Sequence, residues 1–528
     1  MKSKRIDRFL GINTRLPEFS LVVRDVGRYV RDALNVMFNK DGSVESRTPF
    51  KLIAPYTGAH SLFENFFVRA SVLWKFSYVG SNYVEQMVKL LSTNNNMSYT
   101  RAGGMLFMSN GVDRLRVNKD GGIVTWGLPA PYAPLLLPTP AGLPKASYQV
   151  ALAYANQEEE GCLSPAAMID DAEGVRVIMP AGAEGATHVN VYVTGPNGNV
   201  PTFSASVPVG ETSHEITALP TGREAARRIE AVLPAGTRIF EYNGRLFSVM
   251  GKTMYVGLPY RHGYYLPAEG YITFTSDIQI AVGNQAGIYV STQEKTQFLV
   301  GADPTKVDSI VDVLPYGGVA GTEFDHPTDA NVGWFSTKGF VTADNAGVVK
   351  EMMVNTVSNP AVLGGAATVL SAGSEGHKNY VAFGCGWLIN IDTQGVSRVS
   401  DAVGNFNSLS AGFAMSDSGL CQIGGDAAVE CFVDLGKEDF DTEYEKHMPA
   451  TYIGASSSAP LVLDLSTADD TVHTYAARSF SEKLGVHRFN AGKGLRDNWF
   501  GLKIKNADGG QFKMASLSFG AVQTTRKI

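Results

Sequence analysis

The stretch GWFSTKGFVTADNAGVVKEMM, residues 333–353, decides how the rest of the chain is read. Three short apolar runs, Gly333–Ser336, Phe340–Thr342 and Val348–Met352, are separated by two tight turns, Lys338-Gly339 and Asn345-Ala346-Gly347. Glycine supplies the positive φ that such turns require, so the stretch reads as an antiparallel meander. A lone meander of this size cannot cover its own apolar faces and needs neighbours.

The neighbours recur along the chain. RIFEYNGRLFSVMGKTMYVGLPY (238–260) carries an Asn243-Gly244 hairpin turn and then Gly251-Lys252. IQIAVGNQAGIYVSTQEKTQFLVG (278–301), KNYVAFGCGWLINIDTQGVSRVSD (378–401) and SLSAGFAMSDSGLCQIGGDAAVECFVDL (408–435) repeat the form. So do SLFENFFVRASVLWKFSYVGSNYVEQMVKLL (61–91) and GGMLFMSNGVDRLRVNKDGGIVTW (103–126) nearer the start. The turn glycines Gly244, Gly287, Gly339 and Gly386 are 43, 52 and 47 residues apart. That spacing is the period of propeller blades, whose closed ring protects strand edges. The expectation is an all-β chain built on a β-propeller of about six or seven blades. Its two parts are residues 51–128 and 223–437. A pair of β-sandwiches is the competing arrangement, since it also offers short strands at regular spacing.

The ring is interrupted. Residues 127–147 hold six prolines in a run of low charge, a linker composition. YQVALAYAN, GVRVIMP, THVNVYVTGPNGN and HEITALP then alternate at sandwich spacing. This segment resembles a fibronectin type III domain and is expected as an inserted domain over 129–222. GREAARRIEAVLPAG (222–236) carries a short helical pattern before the blades resume. Alternating strands near the end predict a C-terminal β-sandwich over 438–528. Residues 1–50 are expected as a short helical N-terminal arm, its helix being VRDVGRYVRDALNVMF (23–38). Leu34, Val36, Met37 and Phe38 would be bare on a free arm, so they are expected to pack on the propeller or on a neighbouring subunit, as subunit contacts.

Composition is that of an ordinary folded chain: 528 residues, 44% hydrophobic and 18% charged, with 56 glycines for turns. A net charge of −6 sets up no global field for nucleic acid or an anionic membrane. The opening MKSKRIDRFLGINTRLPEF lacks the apolar core of a signal peptide, and no apolar run has membrane-span length. Cys162, Cys385, Cys421 and Cys431 lie far apart without CxxC spacing and read as buried free thiols.

No catalytic pattern emerges. Glu158-Glu159-Glu160 reads as a solvated loop tip rather than a carboxylate pair. The nine histidines are scattered without HExxH, and they include His262, His326, His377 and His487. Asn39-Lys40-Asp41-Gly42 and Asn118–Gly122 are Asp-Gly turns that complete no EF-hand. There is no GxSxG and no Walker loop, and Gly384-Cys385-Gly386 sits in a hairpin. The basic runs at Arg5–Arg8 and Arg223–Arg228 are short and mixed with acid. Trp334, Trp387 and Trp499 are candidates for stacking on sugars, with core packing the plainer reading. The expectation is therefore no enzyme, no catalytic residue, no cofactor and no metal.

The opening GINTRLPEFSLVVRDVGRYVRDALNVMFNKDGSVESRTPFKLIAPYTGAHSLF resembles that of tailed-bacteriophage tail proteins. The matching residues are Ala33, Asn35, Val36, Phe38, Gly42, Val44, Arg47 and Pro49. RIFEYNGRLFSV, PYGGVAGTEF and the closing GLRDNWFGLKIKNADGGQFKMASLSF are similar to segments of such proteins. The resemblance, to the tail nozzle or tail tubular protein B-like family, implies a virion protein of the distal tail. It implies a ring oligomer, a hexamer, around a DNA channel. The implied partners are the chain itself, tail adaptor or connector proteins, and tail fibres or a tip or plug protein. Viral DNA would pass through without sequence-specific binding, and assembly would take place in the host cytoplasm. The inserted domain leaves open a tail-tip, baseplate or host-surface glycan-binding protein of a long-tailed phage.

Overall fold

The computed structural model describes residues 2–527, apart from 80–81, 119, 141, 226–228, 302–309, 326–330, 361–366, 373–378, 401–403, 411 and 425–427. Regular structure among them is all strand, save one three-residue 3-10 turn at Glu18–Ser20. The chain is all-β.

Meanders form where turn residues free the backbone. In the 333–353 stretch, strands Val332–Ser336 and Gly339–Ala343 pair with Trp334 opposite Val341, and Val349–Glu351 follows. Gly339 holds φ +113°, and a Cβ there would lie 2.7 Å from Cβ of Met353, so both backbone and space demand glycine. Asn243 and Gly244 hold φ +51° and +73°, the two positive values of a tight hairpin turn. Four-stranded antiparallel sheets recur in this way. One orders Ser98–Ala102, Met105–Ser109, Arg114–Val117 and Ile123–Thr125, and another Phe406–Ser410, Phe413–Ser416, Gly419–Ile423 and Phe50–Pro55.

The chain divides into two compact units, residues 1–87, 289–298 and 312–528 in the first and 88–288 and 299–311 in the second. In the first, strands from the two ends of the chain share sheets. Strand Asp32–Leu34 sits between Val396–Arg398 and Phe432–Glu438 in a nine-stranded sheet. Strands Lys2–Ile6, Val36–Phe38 and Val44–Ser46 belong to a seven-stranded sheet with Thr451–Ser457, Gly485–Phe489 and Phe512–Lys527. Alternation along Thr451–Ser457 and Leu461–Ser466 turns every second side chain inward. The two sheets close on one core containing Val36, Phe38, Ile453, Leu463, Ile504 and Leu517.

The second unit holds the 98–125 sheet, a six-stranded sheet within 231–273, and seven further strands between Leu135 and Ile216. Those seven form a three-stranded and a four-stranded sheet around Tyr148, Val150, Leu152, Val177, Val191 and Ile216.

Two helical expectations are corrected. Residues 23–38 form the strands Val22–Val23, Gly27–Val30, Asp32–Leu34 and Val36–Phe38. Gly27 at φ +151° and Asn35 at φ +55° interrupt any helix, and burial alternates along Gly27–Val30. The opening 50 residues are thus a set of sheet strands, not a helical arm. In 222–236 the described residues carry no helix, only the short strand Ala231–Val232, and 226–228 lie outside the described residues.

Candidate functional site

Three neighbouring strands of the seven-stranded sheet line up a row of polar heads. Lys513 lies opposite Glu45, and Ser456 lies opposite Lys513. Opposed residues share a sheet face, so a hydroxyl, an ammonium and a carboxylate stand side by side. With Ser46, Ser457, Ser458, Glu482, Gln511 and Phe512 they line a cleft of about 330 Å³.

The cleft is braced from behind. Ser46 Oγ donates to Gln511 Oε1 at 2.8 Å and accepts from the Phe512 amide at 2.9 Å. Ser458 Oγ accepts from the Gln511 amide at 2.9 Å. Lys513 Nζ lies 3.5 Å from Asp41 Oδ2 and 4.0 Å from Glu45 Oε2. Burial lifts the Glu45 carboxyl above its ordinary range despite Lys513. Burial also pushes Asp41 up, but hydrogen bonds from Ser43 and the charge of Lys513 outweigh it and hold Asp41 below. One carboxyl therefore keeps its proton more readily than its neighbour, and the row can both donate to and accept from a ligand hydroxyl.

Sequence reading missed this site. In sequence Asp41 reads only as part of a turn, and Glu45, Glu482 and Lys513 lie on segments distant in the chain. Their meeting depends on strand register, which no local pattern signals.

The acidic loop is placed differently from its expectation. Asn156 Oδ1 accepts the amides of Glu158 and Glu159 at 2.9 and 2.8 Å, shaping the loop. Arg116, itself buried, donates to Glu158 at 2.9 Å and Glu159 at 3.1 Å. Glu160 accepts from Asn190 at 2.7 Å, from Arg223 at 2.7 Å and from the Tyr192 hydroxyl. Arg261 donates to the Glu160 carbonyl at 3.0 Å and pairs with Glu230 at 2.8 Å. Burial, with Glu160 alongside, pushes the Tyr192 phenol up to about 12. The triplet is a partly buried ionic joint, not a solvated tip. Three consecutive acids look solvated in sequence only because their cationic partners are remote.

The other candidates pack inward. Val36, Met37 and Phe38 pack within the chain's own cores, and Leu34 is half-buried. Trp334 and Trp387 are buried, and Trp499 is half-buried. All four cysteines are buried thiols, and burial pushes those of Cys385 and Cys431 up to about 12. His487 has both ring nitrogens 2.9 Å from carbonyl oxygens, of Ser479 and Ala455. His326 and His377 lie outside the described residues. Among the described residues, no cluster of three or more His, Cys, Asp or Glu side chains is arranged to hold a metal ion.

No family model and no curated protein matches the chain. Among solved structures it is similar to an exo-β-1,3-galactanase from Phanerochaete chrysosporium with galactose. The match has 10% identity, covers 92% of this chain and 100% of that one, and has a TM-score of 0.20. A glycoside hydrolase family 43 arabinoxylan arabinofuranohydrolase from Bacillus subtilis matches at 10% identity, covering 94% and 96%, with a TM-score of 0.19. The extracellular domain of a putative one-component system from B. thetaiotaomicron matches at 10% identity, covering 87% and 57%, with a TM-score of 0.20. The expectation that this chain is not an enzyme is corrected by the matches to glycoside hydrolases and is not kept. At these TM-scores the likeness assigns neither a reaction nor a substrate to this chain.

Proposed function

We propose that the chain is a structural protein of a bacteriophage tail. It forms the distal nozzle or conduit for DNA ejection and a platform for fibres or tip proteins. The observation that carries this reading is the fate of the residues behind the family resemblance. Asn35 donates from Nδ2 to the carbonyls of Ser400 at 2.7 Å and Glu430 at 2.8 Å. Arg47 donates to Asn35 Oδ1 at 2.9 Å, while Ala33, Val36, Phe38 and Val44 are buried around them. Gly42, at φ +84°, leaves a Cβ only 2.6 Å from the Arg8 side chain. The members of the motif meet in one buried junction, which supports the resemblance.

The finer fold belongs to the same proposal. Strand Phe50–Pro55 completes a four-stranded sheet with Phe406–Ser410, Phe413–Ser416 and Gly419–Ile423. An early strand finishing a late sheet is how a propeller ring closes. The seven strands between Leu135 and Ile216 support a fibronectin type III-like insert, and the two sheets around the shared core support a C-terminal sandwich. The ring is a homohexamer that meets adaptor proteins on one side and fibres or a tip protein on the other, and DNA passes through it.

The test is electron cryomicroscopy of purified protein and of phage particles carrying a tagged copy. Closed rings on the tail axis are expected. A monomer in solution together with a label away from the tail would overturn the reading.

A further inference from the structure

We infer that the cleft over Ser456, Lys513 and Glu45 binds a neutral saccharide about two sugar rings long. The inference does not depend on where in a particle the chain sits. Adjacent strands lie about 4.8 Å apart, so the three heads span roughly 10 Å, about the length of a disaccharide. The cleft, about 330 Å³, is open to solvent along one side, so it would hold one face of a ligand rather than enclose it.

Charge selects the ligand class. Glu45 and Glu482 line the cleft and Asp41 stands beside Lys513, so acid outnumbers base and an anionic ligand is repelled. Lys513 stands between Ser456 and Glu45 in the row, which disfavours a metal ion or an ammonium group there. A neutral, polyhydroxylated molecule remains. Its hydroxyls donate to the carboxylates, accept from the ammonium and do either with serine.

The site is also held in place before any ligand arrives. Ser46, Ser458 and Gln511 bond to one another and to the backbone, so little side-chain freedom is lost on binding. The lifted pKa of Glu45 fits a carboxyl able to share a proton with a hydroxyl.

The experiment titrates the full-length chain with cellobiose, lactose, maltose and xylobiose, with digalacturonic acid as the anionic probe, followed by calorimetry and ligand-observed NMR. At least one neutral disaccharide is expected to bind, and digalacturonic acid is not. Glu45→Gln and Glu482→Ala should each weaken binding about tenfold or more, the scale of a lost hydrogen bond to a charged group. Glu482 is exposed, so its variant tests the site without loading the fold. Absence of binding by all four neutral sugars, binding unchanged in both variants, or tighter binding of digalacturonic acid would each overturn the inference. None of these outcomes bears on ring assembly, so the saccharide site and the tail reading fail separately.

Discussion

Arg47 Nε donates to Asn35 Oδ1 at 2.9 Å, and both side chains also reach the carbonyl of Ser400. The pair is buried and joins the opening of the chain to its later strands. Asn35 does two jobs there: it makes the bonds and it tolerates φ +55°.

Those two jobs separate by substitution. Asn35→Ala loses the bonds and strains the backbone, and should cost about 3 kcal/mol or more. Asn35→Gly loses only the bonds and should fall between the wild type and the alanine variant. Urea denaturation orders the three. An alanine variant within about 0.5 kcal/mol of wild type would remove the junction from the account.

Removing residues 1–42 should unfold the first unit rather than free an arm. Strands Lys2–Ile6, Asp32–Leu34 and Val36–Phe38 occupy places in both large sheets, and Val36 and Phe38 lie in their core. Loss of the cooperative thermal transition and of amide dispersion is expected. A truncated chain that melts like the full-length protein contradicts this.

At the ionic joint, Arg116→Met takes the Arg116 guanidinium away from Glu158 and Glu159 and leaves a cavity at a buried site, and should destabilise the second unit by about 1–3 kcal/mol. Adding Glu158→Gln and Glu159→Gln to that variant should restore much of the loss, because the uncompensated charge is gone. Chemical denaturation of the single and triple variants reads the difference. Equal stability of the two would mean that the ion pairs carry no net coupling.

Glu45 sets a pH dependence with a definite sign. Its folded pKa is raised by burial, so the folded chain holds that proton to higher pH than the unfolded chain. The group therefore works against stability above its folded pKa, and the effect disappears as pH falls below the ordinary value of 4.5. Glu45→Gln should melt higher than wild type at pH 7, with the gap closing toward pH 4. A gap that widens on acidification would reverse the assignment.

The seven strands between Leu135 and Ile216 should fold alone, provided the fragment starts at Leu128, which is buried in their core. A fragment of residues 128–222 is expected to give dispersed amide signals, and one starting at 133 a lower melting temperature. Poor dispersion from both would contradict independent folding of this segment.

Local chemistry in the sequence determined the strands and turns of this protein. Asn243-Gly244 and Lys338-Gly339 mark their hairpins because positive φ is a property of the residue, and alternation in 451–457 and 461–466 marks faces because a strand has a period of two. The tertiary structure decided what short-range pattern does not carry. It made strands of 23–38, where apolar spacing alone suggested a helix but Gly27 and Asn35 set the backbone. It supplied Arg116 to Glu158 and Glu159 from 42 and 43 residues away. It also brought Glu45 beside Lys513 through the register of two strands from opposite ends of the chain. Strand pairing is selected by the burial of whole faces, so which distant residues become neighbours is settled only when those faces close.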